Sequence, residues 1–208
     1  MLLTIHPDNP EGRKIEQVVR HLEKGGVIIY PTDTVYALGC DLTSKKGVEQ
    51  ICRIRRLDPK KARFSFICQN ISQVAEYAAQ IDNEVFRLMK QSLPGPYTFI
   101  LKASHQVPKL VQGRRASIGV RVPNHNIPLE IVGSLGRPII TSSLKLADDD
   151  VLDYLTDPYD INEAFQNRVE LIIDGGICGA DPSTVIDCTQ NPPELVREGA
   201  GPVDFLDV

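Results

Sequence analysis

The segment Gly25-Gly26-Val27-Ile28-Ile29-Tyr30-Pro31-Thr32-Asp33-Thr34-Val35-Tyr36-Ala37-Leu38-Gly39 decides how the rest of the chain is read. A glycine pair opens it. The residues from Val27 to Tyr30 are β-branched or aromatic and follow a breaker, the pattern of a buried strand. Pro31 cannot donate to a sheet ladder, so the strand is expected to stop or bulge there. Thr32-Asp33-Thr34 then put two hydroxyls and a carboxylate at the end of a buried strand, where open α/β sheets gather ligands. Thr and Asp are equally ordinary as turn formers and caps, so the competing reading has Thr32 and Asp33 capping a following helix.

Working outward, residues 9–24 carry Ile15, Val18, Val19 and Leu22 at helical spacing, and Gly25-Gly26 supply a C-terminal stop. On the other side, Ser44 is placed to cap a second helix with Val48, Ile51 and Cys52 on its apolar face. That helix ends in Arg53-Ile54-Arg55-Arg56 and runs on to Lys60, Lys61 and Arg63. Six cations thus fall within eleven residues, with Asp58 as the one carboxylate among them. Such a cluster either complements a helix C-terminus beside a solvated loop or forms an anion site, because Arg forks match phosphate and carboxylate geometry.

Further along, residues 64–68 read as a strand, 71–79 as a helix capped by Ser72, and 83–91 as another helix. Pro94-Gly95-Pro96 breaks the chain before a strand at Tyr97–Lys102. Residues 117–123 alternate, with Ser117, Gly119 and Arg121 on one face and Ile118, Val120 and Val122 on the other. Arg121 is then either a solvated face residue or the ligand of something anionic in a cleft. A helix over 127–135 ends at Gly136, and a strand from 138–140 stops in Thr141-Ser142-Ser143. Residues 145–160, with Asp148-Asp149-Asp150, read as a flexible acidic loop, and 161–167 as a short helix. Strands at Leu171–Asp174 and 183–187 and a short one within 192–199 complete the chain. Short connections suggest antiparallel pairs between Tyr97–Lys102 and 117–123, and between Leu171–Asp174 and 183–187. The expected fold is α/β of the α+β type, a single mixed sheet flanked by helices in one domain over 1–208.

Composition bounds the function. With 208 residues, 42% hydrophobic and 24% charged, the chain can bury a sizeable core without staples. A net charge of -4 argues against a wholly basic nucleic-acid binder, although a local basic surface is compatible with it. There is no apolar run of about 18 residues, and the start, which lacks a basic n-region and turns polar by His6-Pro7-Asp8, is not expected to be a signal peptide. Five cysteines without CxxC spacing point to reduced thiols in the cytoplasm, and four histidines without HxH or HExxH spacing to no protein-built metal site.

Three strand ends carry hydroxyls, at Thr32/Thr34, Ser142/Ser143 and Ser183/Thr184, and Arg53, Arg55, Arg121 and Arg197 supply fixed cations. If they converge, the site is rich in donors and poor in bases. It then suits binding and in-line positioning of phosphates and carboxylates better than hydrolysis by an activated nucleophile. No GxSxG elbow, Walker A loop or GxGxxG after the first strand is present. Local chemistry reaches an anion-binding α/β domain and goes no further.

Taken together, Tyr30 to Gly39, Pro94-Gly95-Pro96-Tyr97-Thr98, Gly119-Val120-Arg121-Val122-Pro123, Pro138 to Ser143, Asp174-Gly175-Gly176, Pro182 to Asp187 and Val196-Arg197-Glu198-Gly199 resemble, in order, the blocks of the YrdC/YciO-like family. The resemblance implies a twisted mixed sheet around a large concave cleft. It implies synthesis of threonylcarbamoyl-adenylate from L-threonine, bicarbonate and ATP with release of pyrophosphate, a step in threonylcarbamoyladenosine modification of tRNA. Under it, Thr34, Arg121, Ser142 and Ser183 bind the threonine, and Ser117 and Arg197 face the nucleotide. Arg53 and Arg55 stand for the family's catalytic Lys-x-Arg near the phosphates, and magnesium arrives with the ATP. Three departures, Leu144 where the family has Asn, Arg53 where it has Lys, and a segment from Arg56 to Phe66 unlike that of many synthases, look like the YciO-like branch. They leave as an alternative a weakly catalytic or non-catalytic protein that binds double-stranded RNA or tRNA.

Overall fold

The computed structural model describes residues 1–59, 62–108, 111, 116–144 and 154–204. Within them the expected helix is α1 (Gly12–Glu23), preceded by a short strand, β1 (Leu2–Thr4), that the sequence pattern did not announce. Ile15, Val18, Val19 and Leu22 are all buried, and Gly25 takes φ +81° just beyond the helix end. The decisive apolar run is β2 (Val27–Tyr30), buried at every residue. No helix follows it. Residues 31–36 turn, and the chain returns antiparallel to β2 as β3 (Ala37–Asp41), so Thr32 and Asp33 are turn residues between two strands and not helix caps.

Ser44 does cap α2 (Lys45–Ile54), its Oγ accepting from the Gly47 N–H at 2.9 Å. After β4 (Ser65–Ile67), α3 (Ile71–Tyr77) is capped by Asn70, not Ser72, because the Asn70 side-chain Oδ1 accepts from the Gln73 N–H at 2.9 Å. Then come α4 (Asn83–Ser92), β5 (Tyr97–Lys102), β6 (Ser117–Arg121), α5 (Asn126–Leu135) closed by Gly136 at φ +71°, and β7 (Ile139–Ser143). The last elements are α6 (Pro158–Phe165), β8 (Leu171–Asp174), β9 (Thr184–Asp187) and β10 (Glu194–Arg197). Pro158 at the N-terminus of α6 takes residues 158–160 out of the expected acidic loop and into a helix. Lys60, Lys61, Arg114, Arg115 and residues 145–153 of that loop lie outside the described residues.

The ten strands of the described residues join one mixed sheet in the order β1-β8-β2-β3-β7-β4-β6-β5-β9-β10, an α/β fold with helices on its faces. β5 and β6 pair antiparallel, as expected. The second expected pair does not form. β8 lies between β1 and β2, parallel to both, while β9 lies between β5 and β10, parallel to β5. Leu171–Asp174 is buried throughout, which suits a strand with neighbours on both edges better than one arm of an exposed hairpin.

Strand alternation sorts the core into two layers. Val27, Ile29, Leu38, Cys40 and Phe66 join one cluster with residues of α2, α4 and α6. Ile28, Tyr30, Ala37 and Ile67 join the other with α1 and α5. Adjacent residues of one strand thus serve opposite layers, the period of two that a pleated strand imposes. All five cysteines are free thiols. Among the described residues no helix is long and apolar enough to cross a membrane.

Candidate functional site

A cavity of about 650 Å³ opens over the sheet, lined from β5, β6 and β7 and from the segments around Arg55, Arg63, Ser183 and Arg197. Ser117, Gly119 and Arg121, which alternate along β6, all line it, together with Ile118 between them, so of the two settings open to Arg121 the cavity wall is the one it occupies. Gly119 keeps the floor open: a Cβ there would stand 2.4 Å from the Ser65 hydroxyl.

Arg121 is the best anchored of the lining residues. Although only 5% exposed, it is a wall residue, and its Nη2 donates to Asp33 Oδ1 at 2.8 Å and to Thr34 Oγ1 at 3.0 Å. The turn that presents these acceptors is closed by its own hydroxyls. Thr32 Oγ1 donates to the Val35 carbonyl at 2.6 Å and accepts from the Thr34 N–H at 3.1 Å. With that proton committed, the 3.0 Å contact between the two hydroxyls makes Thr34 the donor to Thr32, which leaves Thr34 oxygen facing Arg121 as acceptor. The loop after β8 backs this turn. Tyr36 donates its phenol to the Gly176 carbonyl at 2.7 Å, and a Cβ on Gly179 would stand 2.9 Å from the Thr34 carbonyl.

Beside β6, Thr98 of β5 and Ser183 share a hydroxyl contact of 2.7 Å. Arg197, exposed on the edge strand, grips the Ser183 carbonyl through Nη2 at 2.7 Å and Nε at 3.2 Å. On the third side the Arg55 guanidinium donates to the Ser143 carbonyl, and burial lowers its pKa from the ordinary value, opposed by Tyr154. Burial raises the Tyr154 phenol, while Arg197, Arg55 and a hydrogen bond with Ser143 oppose the rise.

Of the sequence-derived residues, Arg55, Arg121, Ser142, Ser183, Ser117 and Arg197 line one cavity. Thr34 lies behind Arg121 at 1% exposure and reaches the site through that side chain. Arg53 is exposed at the end of α2 and is not a lining residue. Thr184 is wholly buried; its hydroxyl donates to the Gly201 carbonyl and accepts from the Gly199 and Gly201 N–H groups, so it ties down the chain after β10. Leu144 packs in the core at 2% exposure and sends no side chain into the cavity. The sequence pattern offers Asp33 only as part of the Thr32-Asp33-Thr34 cluster and Thr98 only inside a motif, and it gives Ser65 and Tyr154 no site role. The signal for Asp33 was present in the Thr-Asp-Thr run, but a carboxylate in a turn has a bland explanation until its arginine partner is known.

The described lining residues supply four guanidiniums and seven aliphatic hydroxyls (Ser65, Thr98, Ser117, Thr141, Ser142, Ser143, Ser183) with no carboxylate, histidine or thiol. Nor do the described residues contain a group of His, Cys, Asp and Glu suited to holding a metal ion. Fixed cations and hydroxyl donors around a concave space stabilise negative charge on a ligand.

Comparison with known proteins meets this geometry. A family model described as telomere recombination, covering Sua5, YciO and YrdC proteins, matches residues 20–199. YciO of Escherichia coli (strain K12) is 46% identical over 200 residues, 96% of this chain and 95% of that protein. The crystal structure of E. coli YciO superposes with a TM-score of 0.91 at 43% identity, covering 98% of both chains. The threonylcarbamoyl-AMP synthase of Pyrococcus abyssi is 31% identical over 93% of this chain, which spans only 56% of that longer protein. The structure of P. abyssi Sua5 complexed with L-threonine superposes with a TM-score of 0.86 at 29% identity over 96% of this chain. Matched along most of its length by the family model and nearly half identical to YciO, the chain belongs to the Sua5/YciO/YrdC family.

Proposed function

We propose that the cavity binds ATP and L-threonine and that the protein makes threonylcarbamoyl-adenylate from them with bicarbonate. The threonine amine adds to the bicarbonate carbon with loss of water. The resulting carbamate oxygen then attacks the α-phosphorus, and the bond to the β-phosphate breaks to release pyrophosphate. Arg121 receives the threonine carboxylate, Ser142 and Ser183 its polar groups, and Thr34 holds Arg121 in place. Ser117 and Arg197 face the nucleotide, while Arg55 and Arg63 neutralise phosphate charge.

One observation carries the reading. A buried, rigidly held arginine and three less buried ones share a cavity whose described lining contains no carboxylate, so both a carboxylate and a polyphosphate find partners there. That the Sua5 relative is complexed with L-threonine supports the amino-acid end. Magnesium fits as the counter-ion of the nucleotide, since the described lining offers it hydroxyls and cations only. Free cysteines throughout suit a reducing cytoplasm as the place of action. Incubation with ATP, L-threonine and bicarbonate should release pyrophosphate in a threonine-dependent manner. Release no faster than a buffer blank at saturating substrate would reject the proposal.

Exposure of Arg53 outside the cavity favours a second reading, in which the basic end of α2 contacts tRNA or double-stranded RNA. Phosphate contacts predict binding that weakens steeply as salt rises. Absence of tRNA binding at low salt would remove this reading and leave the first intact.

A further inference from the structure

Arg121 differs from the other three cavity arginines in how its donors are committed. Both hydrogens of Nη2 are engaged, one by Asp33 and one by Thr34. Nη2 is the nitrogen common to the two edges by which a guanidinium grips a carboxylate or phosphate with paired hydrogen bonds, so neither edge is fully available. Nε is buried as well and has no hydrogen-bond partner. Asp33 is in turn fixed from behind, its Oδ2 accepting from the Asn124 N–H at 3.0 Å. The pair is sealed, with side-chain exposures of 7% for Arg121 and 8% for Asp33, so water screens it little. Arg55 and Arg197 instead donate to the backbone carbonyls of Ser143 and Ser183, which leaves their charge uncancelled.

Resting on the function proposed above, we propose that Asp33 is a positioning and specificity-determining residue. It cancels the charge of Arg121 and occupies its two-pronged edges, so that this guanidinium receives a singly charged carboxylate and leaves phosphate groups to Arg55, Arg63 and Arg197. Without such a device a cavity with four guanidiniums would draw the polyphosphate onto all of them, including the one that has to hold the amino acid. Thr34 and Asn124 serve the same end by keeping Asp33 and Arg121 in register.

The test uses inorganic phosphate as the probe, with titration calorimetry at low ionic strength on the wild-type protein, Asp33→Asn and the double variant Asp33→Asn/Arg121→Gln. Asp33→Asn keeps the shape and removes the charge, and phosphate should bind it at least about tenfold more tightly than wild type, the scale of one unscreened charge at close range. The gain should vanish in the double variant. Equal affinity for wild type and Asp33→Asn, or a gain that survives in the double variant, overturns the proposal. If Asp33→Asn does not fold, the Arg121 Nε–H resonance of the wild-type protein decides by NMR. Acetate should move it and saturating phosphate should not; movement by phosphate overturns the proposal. Neither measurement requires turnover, so a failure of threonine-dependent pyrophosphate release would reject the enzyme reading while leaving the role of Asp33 separately decided.

Discussion

Two arginines of one cavity, Arg121 and Arg197, are held in opposite ways. Arg121 projects from an interior strand, is nearly inaccessible to water, and is paired with a buried carboxylate. Arg197 projects from the edge strand β10, is exposed, and leans on the backbone carbonyl of Ser183 with no carboxylate as partner among the described residues. The difference teaches that the cavity has a half built into the fold and a half laid on its rim. Removing the first should damage stability and binding together. Removing the second should separate them.

The largest effect is expected at Arg121. Arg121→Met strands Asp33 as a buried charge without a counter-ion, which costs about 3–5 kcal/mol. Urea unfolding should show it as a lower midpoint. Neutralising both partners, in Asp33→Asn/Arg121→Met, should recover a substantial part of that loss, because what hurts is the uncompensated charge. A double variant as unstable as Arg121→Met alone would mean that packing, not charge, anchors this half.

Next in size is Gly199→Ala, which attacks the rim through its backbone. A Cβ at this position would stand 2.2 Å from the Pro182 carbonyl oxygen and 2.7 Å from the Ser183 carbonyl carbon, both main-chain atoms with little freedom to yield. Overpacking of this kind costs about 1–3 kcal/mol. Because Ser183 anchors Arg197, the variant should also weaken ATP binding by calorimetry. Unchanged affinity would show that the Ser183–Arg197 contact is dispensable.

The same division explains what could be read from the sequence. Helices α1 and α2 and strands β2, β5, β6, β7 and β8 announce themselves, because burial on one face writes a period into the residues and burial on both an unbroken apolar run. β1 is three residues long, too short for a period. β3 hides because Gly39 and Asp41 interrupt its apolar pattern for reasons supplied by other elements. A Cβ on Gly39 would stand 2.8 Å from the Tyr30 ring, and Asp41 answers Arg137 across ninety-six positions of sequence. The β8–β9 connection misleads for a related cause: closeness in sequence favours a hairpin, yet each strand finds its neighbours elsewhere in the sheet. Within the site, the hydroxyls and arginines were legible as types. That Ser142, Ser183, Ser117, Arg55, Arg121 and Arg197 share a cavity while Arg53 does not depends on which way each strand end or helix end faces, which no local pattern encodes.

Asp41 and Arg137 offer a control for the charged half, since their pair lies away from the cavity lining. Burial alone would raise the Asp41 carboxyl, but hydrogen bonds from Arg137 and Thr43 outweigh it and hold the pKa below the ordinary value. A carboxyl depressed in the folded state contributes stability above its unfolded pKa and loses it as pH falls through the folded one. Stability should therefore decline on acidification below about pH 4, the ordinary carboxylate range, and Asp41→Asn should flatten that limb. Denaturation curves at stepped pH check the slope. Threonine binding near neutral pH should stay unchanged in this variant, in contrast to Arg121→Met, and a loss there would mean that the distant pair also shapes the cavity.

The smallest expected change in stability, and the one that most sharpens the comparison, belongs to Arg197→Gln. An exposed side chain away from the core changes stability by no more than about 0.5 kcal/mol. Glutamine keeps a donor of similar reach but removes the charge and the fork, so ATP affinity should fall while threonine affinity holds. Thermal unfolding and calorimetry on the same preparation read both quantities. If the variant melts several degrees below wild type, the edge strand is structural and the cavity has no separable rim. If threonine affinity falls in step with ATP affinity, Arg197 and Arg121 act as one unit, and the division drawn between them is wrong.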